Sequence, residues 1–448
     1  MNKQKEMTGL APDLIIECGL LLTMADEDKP LKNVRLLIQG DRIIDIKGRD
    51  EWLPESNKCE TIDAKDSLVM PGIVNSHSHA AMSIFRGYAD DLPLNEWLFE
   101  KIFPAEAKYI NPDTVYWGTL LACVEMIASG TTSVIDGYFY EDSAVKAIHE
   151  SGLRAIISQG IIDFPAPGIP DPLKNLEVGK EFLEKWSDFS PLITPGLFCH
   201  SPMTCSDRTI SDAARLCQKH SVPLQIHLSE TEEEVEEIIR RTSKRPVSHL
   251  KELGILGPDL IAAHAIHLDN QEIDILAQND TKVVHIPESN MKLSSGTARV
   301  SDMLKKGLTI GIGTDGCASN NNLDIFQEMD TAAKLGKITT MDPTATNAET
   351  VLRMATLWGA KVMRLDKVTG SIEKGKKADI IVIDMNSPHL VPLYNPVSQI
   401  VYSAKGSDVR DVIVNGRILM RDRKFLSLDL EGIMSKTRDI GHRIGSGG

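Results

Sequence analysis

Apolar and polar positions change rhythm twice along this 448-residue chain. Up to about Ser67, apolar residues come in short strand-like bursts set off by turn signals. Asp13-Leu14-Ile15-Ile16 and Val34-Arg35-Leu36-Leu37-Ile38 are two of them, and Gln39-Gly40-Asp41-Arg42 turns the chain into Ile43-Ile44-Asp45-Ile46. The same texture returns in Ala378-Asp379-Ile380-Ile381-Val382-Ile383-Asp384 and in Val409-Arg410-Asp411-Val412-Ile413-Val414-Asn415-Gly416-Arg417. Between these ends, short apolar runs alternate with helical stretches such as residues 115–129 and 209–220, the pattern of βαβ units. Eight strands are predicted there, at residues 69–75, 131–136, 153–160, 193–199, 223–227, 260–263, 281–286 and 308–314.

Eight β/α units imply an α/β fold closed as a (β/α)8 TIM barrel. An open doubly wound sheet fits less well, because no GxGxxG turn follows an early strand. The segments 1–67 and 372–448 are expected to pack together as one small composite β-sandwich domain, with residues 68–371 as the barrel domain. The glycine-rich residues 441–448 are expected to fray.

Composition narrows the function. The formal net charge is −14, so nothing basic dominates to neutralise phosphates. That argues against nucleic acid or an anionic membrane and for a small neutral or cationic substrate. The opening residues 1–11 are polar, no apolar run is long enough to span a bilayer, and the seven cysteines are scattered without a CxxC pair. These features predict a cytoplasmic protein with reduced thiols. A homo-oligomer is compatible with them.

A (β/α)8 barrel carries its chemistry at the C-terminal ends of its strands. Here the first predicted strand runs into His77 and His79, the fourth into His200, the fifth into His227, the sixth into His264 and the eighth into Asp315. The chain has only twelve histidines, so this placement is unlike a random scatter. Strand alternation puts His77 and His79 on one side, where both can reach one metal ion. An HxH triplet alone is weak evidence. With His227 and Asp315 added, three imidazoles and a carboxylate suit zinc or iron and leave a position for water. Glu230, three residues after His227, opens an acidic helix and has that bland reading too. Beside a metal ligand, a proton-shuttling role is favoured. His267 follows His264 closely, but the strand end favours His264. His285 lies inside a strand and reads as a packed residue.

Several motifs then resemble a known family. They are Pro71-Gly72-Ile73-Val74-Asn75-Ser76-His77-Ser78-His79, Phe85-Arg86-Gly87-Tyr88-Ala89-Asp90-Asp91-Leu92-Pro93-Leu94, His227-Leu228-Ser229-Glu230-Thr231, Pro287-Glu288-Ser289-Asn290-Met291-Lys292-Leu293 and Gly313-Thr314-Asp315-Gly316. Together they are similar to the amidohydrolase superfamily, and within it to the 5-methylthioadenosine/S-adenosylhomocysteine deaminases of the chlorohydrolase-like group. The resemblance implies one divalent metal, most often Zn2+ with Fe2+ as the alternative, held by His77, His79, His227 and Asp315. It implies that Glu230, His264 and Asp315 are catalytic: Asp315 takes a proton from an activated water, His264 orients that water, and Glu230 protonates the substrate ring. It places substrate contacts at Glu106 and His200, with Glu230 and Asp315 also at the substrate. No lysine ends the fourth strand, which fits a single metal.

The expected substrate is a nucleoside. The third strand ends in Ser158-Gln159-Gly160, and the loop from Ile161 to Pro172 is apolar, proline-rich and free of arginine. Gln159 and this loop are expected to face the 5' substituent and to offer a carboxylate no bidentate partner. The reading is therefore 5'-methylthioadenosine, 5'-deoxyadenosine or adenosine ahead of S-adenosylhomocysteine. A guanine, pterin or triazine hydrolase is the alternative enzyme, and a non-catalytic barrel scaffold the alternative from another class.

Overall fold

The computed structural model describes residues 11–25, 29–51, 53 and 59–446. The polar opening, apart from Ala11, and the last two glycines lie outside these residues. Four strands come first: β1 (Leu14–Leu21), β2 (Leu31–Gln39), β3 (Arg42–Gly48) and β4 (Glu60–Pro71). Eight occupy the middle: β5 (Ile73–Ser78), β6 (Thr131–Tyr138), β7 (Arg154–Ile161), β8 (Ile193–Cys199), β9 (Leu224–Leu228), β10 (Leu260–His264), β11 (Lys282–His285) and β12 (Ile310–Ile312). The last are β13 (Ile380–Asp384), β14 (Val409–Val414), β15 (Arg417–Arg421) and β16 (Lys424–Phe425).

β5 to β12 pair in sequence order, each parallel to the next, with helices in the connections. The ring closes where the last strand meets the first. Ser78 bridges Asp315 in parallel fashion, and the amides of Thr314 and Asp315 both donate to the His77 carbonyl. That closure brings Asp315 beside His77, although 237 residues separate them. Gly313 permits it: a Cβ there would lie 2.8 Å from the His77 backbone nitrogen. Val74, Ile135, Ile156, Ile261, Ala263, Val284 and Ile286 fill the interior below the site. This is a packed core, as such barrels require.

The chain ends form one mixed sheet in the order β16-β15-β14-β13-β4-β1-β2-β3. β13 pairs antiparallel with β4, which unites the two ends. The sheet curls, so that the Ile43 amide meets the Lys376 carbonyl and the Ala378 amide meets the Asp41 carbonyl. Ile16, Leu36, Ile38, Ile62, Ile380, Val382 and Ile413 form its own core. A buried bidentate pair, Arg154 with Asp379, ties the start of β7 to this sheet at 2.8 and 3.1 Å.

Two expectations change. The apolar run at 69–75 is two strands: its first part ends β4, and Gly72 then passes the chain into β5. A Cβ on Gly72 would lie 2.1 Å from the Thr132 side chain. Both strands are buried, so hydrophobic periodicity carries no mark of the change of sheet. The C-terminal end does not fray from Gly441: a helix runs over Leu430–Gly445, with Ile433, Ile440 and Ile444 buried. Apolar burial there outweighs the weak helix propensity of glycine. Among the described residues, no helix is long and apolar enough to cross a membrane.

Candidate active site

The C-terminal ends of the barrel strands converge as the alternation predicts. One nitrogen each from His77, His79 and His227 and one oxygen from Asp315 lie within 4.8 Å of one another, all buried. His77 Nε2 is 3.3 Å from His227 Nε2. Asp315 Oδ1 is 3.2 Å from His79 Nε2 and 3.6 Å from His77 Nε2. Four donors at the usual 2.0–2.1 Å around a tetrahedral cation would stand about 3.3 Å apart, so the cluster has the size such an ion requires. Two of the ligands are also aimed. The Nδ1 of His79 faces the Gly137 carbonyl, which leaves its Nε2 for the cluster. The far oxygen of Asp315 accepts hydroxyl bonds from Ser289 and Ser319, both at 2.7 Å.

The electrostatics point the same way. Burial, with neighbouring imidazoles, pulls His227 well below its ordinary value and His77 to about 4, so both are neutral, as metal ligands must be. Burial works against the charged form of Asp315, but bonds from His77 and His79 hold it well below the usual carboxylate range. His79 rises to about 9: the pull of Asp315 overcomes the cost of burial. A proton on His79 thus serves as counter-charge to Asp315, a place that a cation would take on binding.

Beside the four donors stand Glu230 and His264, whose Nε2 is 3.7 Å from Glu230 Oε2. His264 Nδ1 is 2.8 Å from the Asn290 side-chain oxygen, which sets the ring's orientation and tautomer. Burial raises the Glu230 carboxyl above its ordinary value. Ser229, His264, Ala265 and Asp315 all have positive φ, between 49° and 70°. Four side-chain-bearing residues in this sparsely populated region at one barrel mouth mark backbone strain concentrated at the site.

His79, His227, Asp315, Glu230 and His264 line one cavity with an apolar wall of Met82, Leu94, Trp97, Leu98, Phe103 and Leu293. Leu94 to Phe103 belong to the segment after β5, which includes a π turn at Trp97–Ile102. Glu106 reaches the same cavity from the helix Phe103–Tyr109 and accepts a hydrogen bond from Tyr138. Burial pushes the Glu106 carboxyl up to about 7, against the opposing Tyr138 bond. His200 lines the cavity too, held by Thr204 at 2.9 Å, and burial lowers it to about 4.

Gln159, expected at the substrate, does not line this cavity. Ser158 faces the barrel interior, where Gln225 bonds it, so the next residue along β7 turns outward. Gln159 lines a separate cavity with Glu141 and Gly168. His267 is held by the Ser295 carbonyl at 2.7 Å, apart from the cluster. Sequence reasoning missed Tyr138, because the strand was expected to end at Asp136. It gave Ser289 and Asn290 no individual roles although both stand in the Pro287–Leu293 motif, and Ser319 carried no signal.

Residues 68–419 match the amidohydrolase family. The chain is 45% identical to the 5-methylthioadenosine/S-adenosylhomocysteine deaminase of Syntrophobacter fumaroxidans, over 96% of this chain and 98% of that one. It is also 45% identical to the 5'-deoxyadenosine deaminase of Methanosarcina acetivorans, over 95% and 97% of the two chains. A crystal structure of an adenosine deaminase from Xanthomonas campestris with bound zinc superposes with a TM-score of 0.94 at 35% identity, covering 97% of this chain and 99% of that one.

Proposed function

Because the chain belongs to the amidohydrolase family, we propose that it is a metal-dependent deaminase of adenosine-type nucleosides, releasing ammonia and the inosine analogue. The carrying observation is that one cavity is lined by His79, His227 and Asp315 of the four-donor cluster together with the Glu230–His264 pair and Glu106. Zinc is the proposed metal, in keeping with the zinc-bound relative. When bound, a divalent cation lowers the pKa of a water to about 7. The remaining work falls to side chains. Asp315, kept ionised, accepts a proton from the water. His264, with Nδ1 turned to Asn290, presents Nε2 to it as an acceptor. Glu230, whose burial favours the protonated form, donates to the ring nitrogen beside the amino-bearing carbon, and that carbon becomes electrophilic. Glu106 has one oxygen taken by Tyr138, and its other accepts from the ribose hydroxyls.

5'-Methylthioadenosine, 5'-deoxyadenosine and adenosine are proposed ahead of S-adenosylhomocysteine. No arginine or lysine lines the cavity among the described residues. Arg241 lines a neighbouring groove, but its Nη1 is bonded to the carbonyls of Pro202 and Met203. An ammonia-release assay of the metal-loaded protein tests the reading. Turnover is expected with the first three substrates, slower turnover with S-adenosylhomocysteine, and none with guanine or cytosine. Silence with every adenosine nucleoside would remove the proposal, and a preference for S-adenosylhomocysteine over methylthioadenosine would remove its finer part.

A further inference from the structure

The cavity that receives Gln159 lies behind the barrel wall, on the outer side of β7, and it is distinct from the active-site cavity. Its volume is about 210 Å³, room for several waters or a hydrated ion. Glu141, the first residue of the helix Glu141–Ser151, lines it. This side chain is fully buried, and neither carboxyl oxygen makes a well-formed hydrogen bond. Among the described residues the Tyr138 amide is the one backbone donor near it, and a buried carboxyl so little supported is costly and calls for a further partner.

The rest of the lining indicates the partner's chemistry. Gln159 is anchored through its amide nitrogen on the Gly160 carbonyl, which leaves its oxygen as the free end. Glu181 and Asp142 add carboxylates, and among the described residues no histidine or cysteine is present in the lining. Lys185 is the one cation there among the described residues, and Asp142 already holds it, at 2.5 Å, together with the indole of Trp186. The proline-rich loop covers this place. Ala166 and Ile169 bridge each other in a tight hairpin, and Gly168, at φ 81°, is packed against Tyr140. A Cβ on Gly168 would lie 2.8 Å from the Tyr140 ring. The loop that was expected to meet the 5' end of a substrate thus borders a second cavity, in which Glu141, Asp142, Gln159 and Glu181 stand among apolar side chains such as Ile169, Val178 and Phe182.

We propose that this chamber is a binding site for a hard divalent cation of the calcium or magnesium type, with Glu141 as the buried carboxylate ligand and Gln159 and Glu181 as further oxygen donors. An oxygen-only donor set selects such ions over zinc or iron, which prefer nitrogen and sulfur. Burial, with Asp136 nearby, raises the Glu141 carboxyl well above its ordinary value, so cation entry releases a proton. A filled site would pin the Ala166–Ile169 hairpin and the start of the helix Glu141–Ser151 to the barrel wall. This inference does not depend on the proposed deaminase activity.

The test uses the zinc-loaded full chain, freed of excess metal, and terbium(III) as a luminescent stand-in for calcium. Tyr140 in the lining and Trp186 beside Asp142 are placed to sensitise its emission. Saturable sensitised emission is expected from the unaltered protein, and calcium is expected to displace it. Glu141→Gln, close to isosteric, is expected to weaken binding at least tenfold. Gln159→Leu, which leaves the charge of the lining unchanged, is the second variant and decides the matter if the first does not fold; it too is expected to weaken binding. Calcium titrations in two buffers of different ionisation enthalpy are expected to show about one proton released per ion. Absence of sensitised emission from the unaltered protein overturns the proposal, and so does emission of equal affinity in every variant that folds.

Discussion

Replacing Glu106 by glutamine separates two consequences of burying a carboxyl group in the substrate cavity. The residue is only 4% exposed, and its carboxyl rises from 4.5 to about 7. Below pH 4.5 the folded and unfolded states both carry the proton, and burial costs nothing through ionisation. Between 4.5 and 7 the folded state holds a proton that the unfolded state has lost, so stability falls as pH rises. Well above pH 7 the full penalty is present, about 3 kcal/mol at 1.36 kcal/mol per pKa unit. Glu106→Gln removes the charge and keeps an oxygen for the Tyr138 hydroxyl. The variant is therefore expected to match the parent at pH 4.5 and to exceed it by about 3 kcal/mol at pH 9 in urea denaturation. Activity is expected to move the other way. A hydrogen bond to a charged acceptor contributes about 1.5–3 kcal/mol, so loss of one ribose contact lowers kcat/KM for 5'-deoxyadenosine roughly 10- to 150-fold. The free base, with no ribose, is expected to be affected little. Parallel stability curves across this pH range would refute the burial argument, and an unchanged kcat/KM for 5'-deoxyadenosine would refute the ribose contact.

Other outcomes follow from the same geometry. Chelation of the metal, or His227→Ala, is expected to abolish ammonia release, with zinc restoring activity only to the chelated parent. Replacing both Ser289 and Ser319 by alanine strips Asp315 of two hydroxyl donors; metal affinity is expected to fall about 10- to 100-fold in a competition titration, the usual cost of losing such support. Asn290→Ala releases the His264 ring and is expected to lower kcat about two- to tenfold with KM nearly unchanged. Arg154→Met leaves the buried Asp379 carboxylate without its ion pair and is expected to cost about 3–5 kcal/mol in chemical denaturation, while Arg154→Met with Asp379→Leu recovers much of the loss. Turnover per folded molecule is expected to hold in both, because the pair lies at the start of β7, the end of the barrel away from the site.

The alternation of apolar runs and helical stretches was enough to identify eight barrel strands, and the rule that chemistry sits at strand ends was enough to select His77, His79, His200, His227, His264 and Asp315. Both depend on short-range regularities, the two-residue period of a strand and the three-to-four-residue period of a helix, and these are written into the chain locally. Motif resemblance added Glu106, which no period could reveal, and gave His200 its place at the substrate. Gln159 shows where local reading stops. A strand end is visible in the sequence, but whether a given residue near it turns inward or outward depends on register, and one step sends the side chain to the other face. Gly72 makes the same point, since a continuous apolar run contains two strands of different sheets. Tyr138 on Glu106, Ser289 and Ser319 on Asp315, and the empty-handed Glu141 beside Gln159 became visible only when distant segments met. Closure of the barrel, β12 against β5, is what brings Asp315 to the histidines. That contact was decided by three-dimensional packing, because the chain carries no periodic signal across the 237 residues between His77 and Asp315.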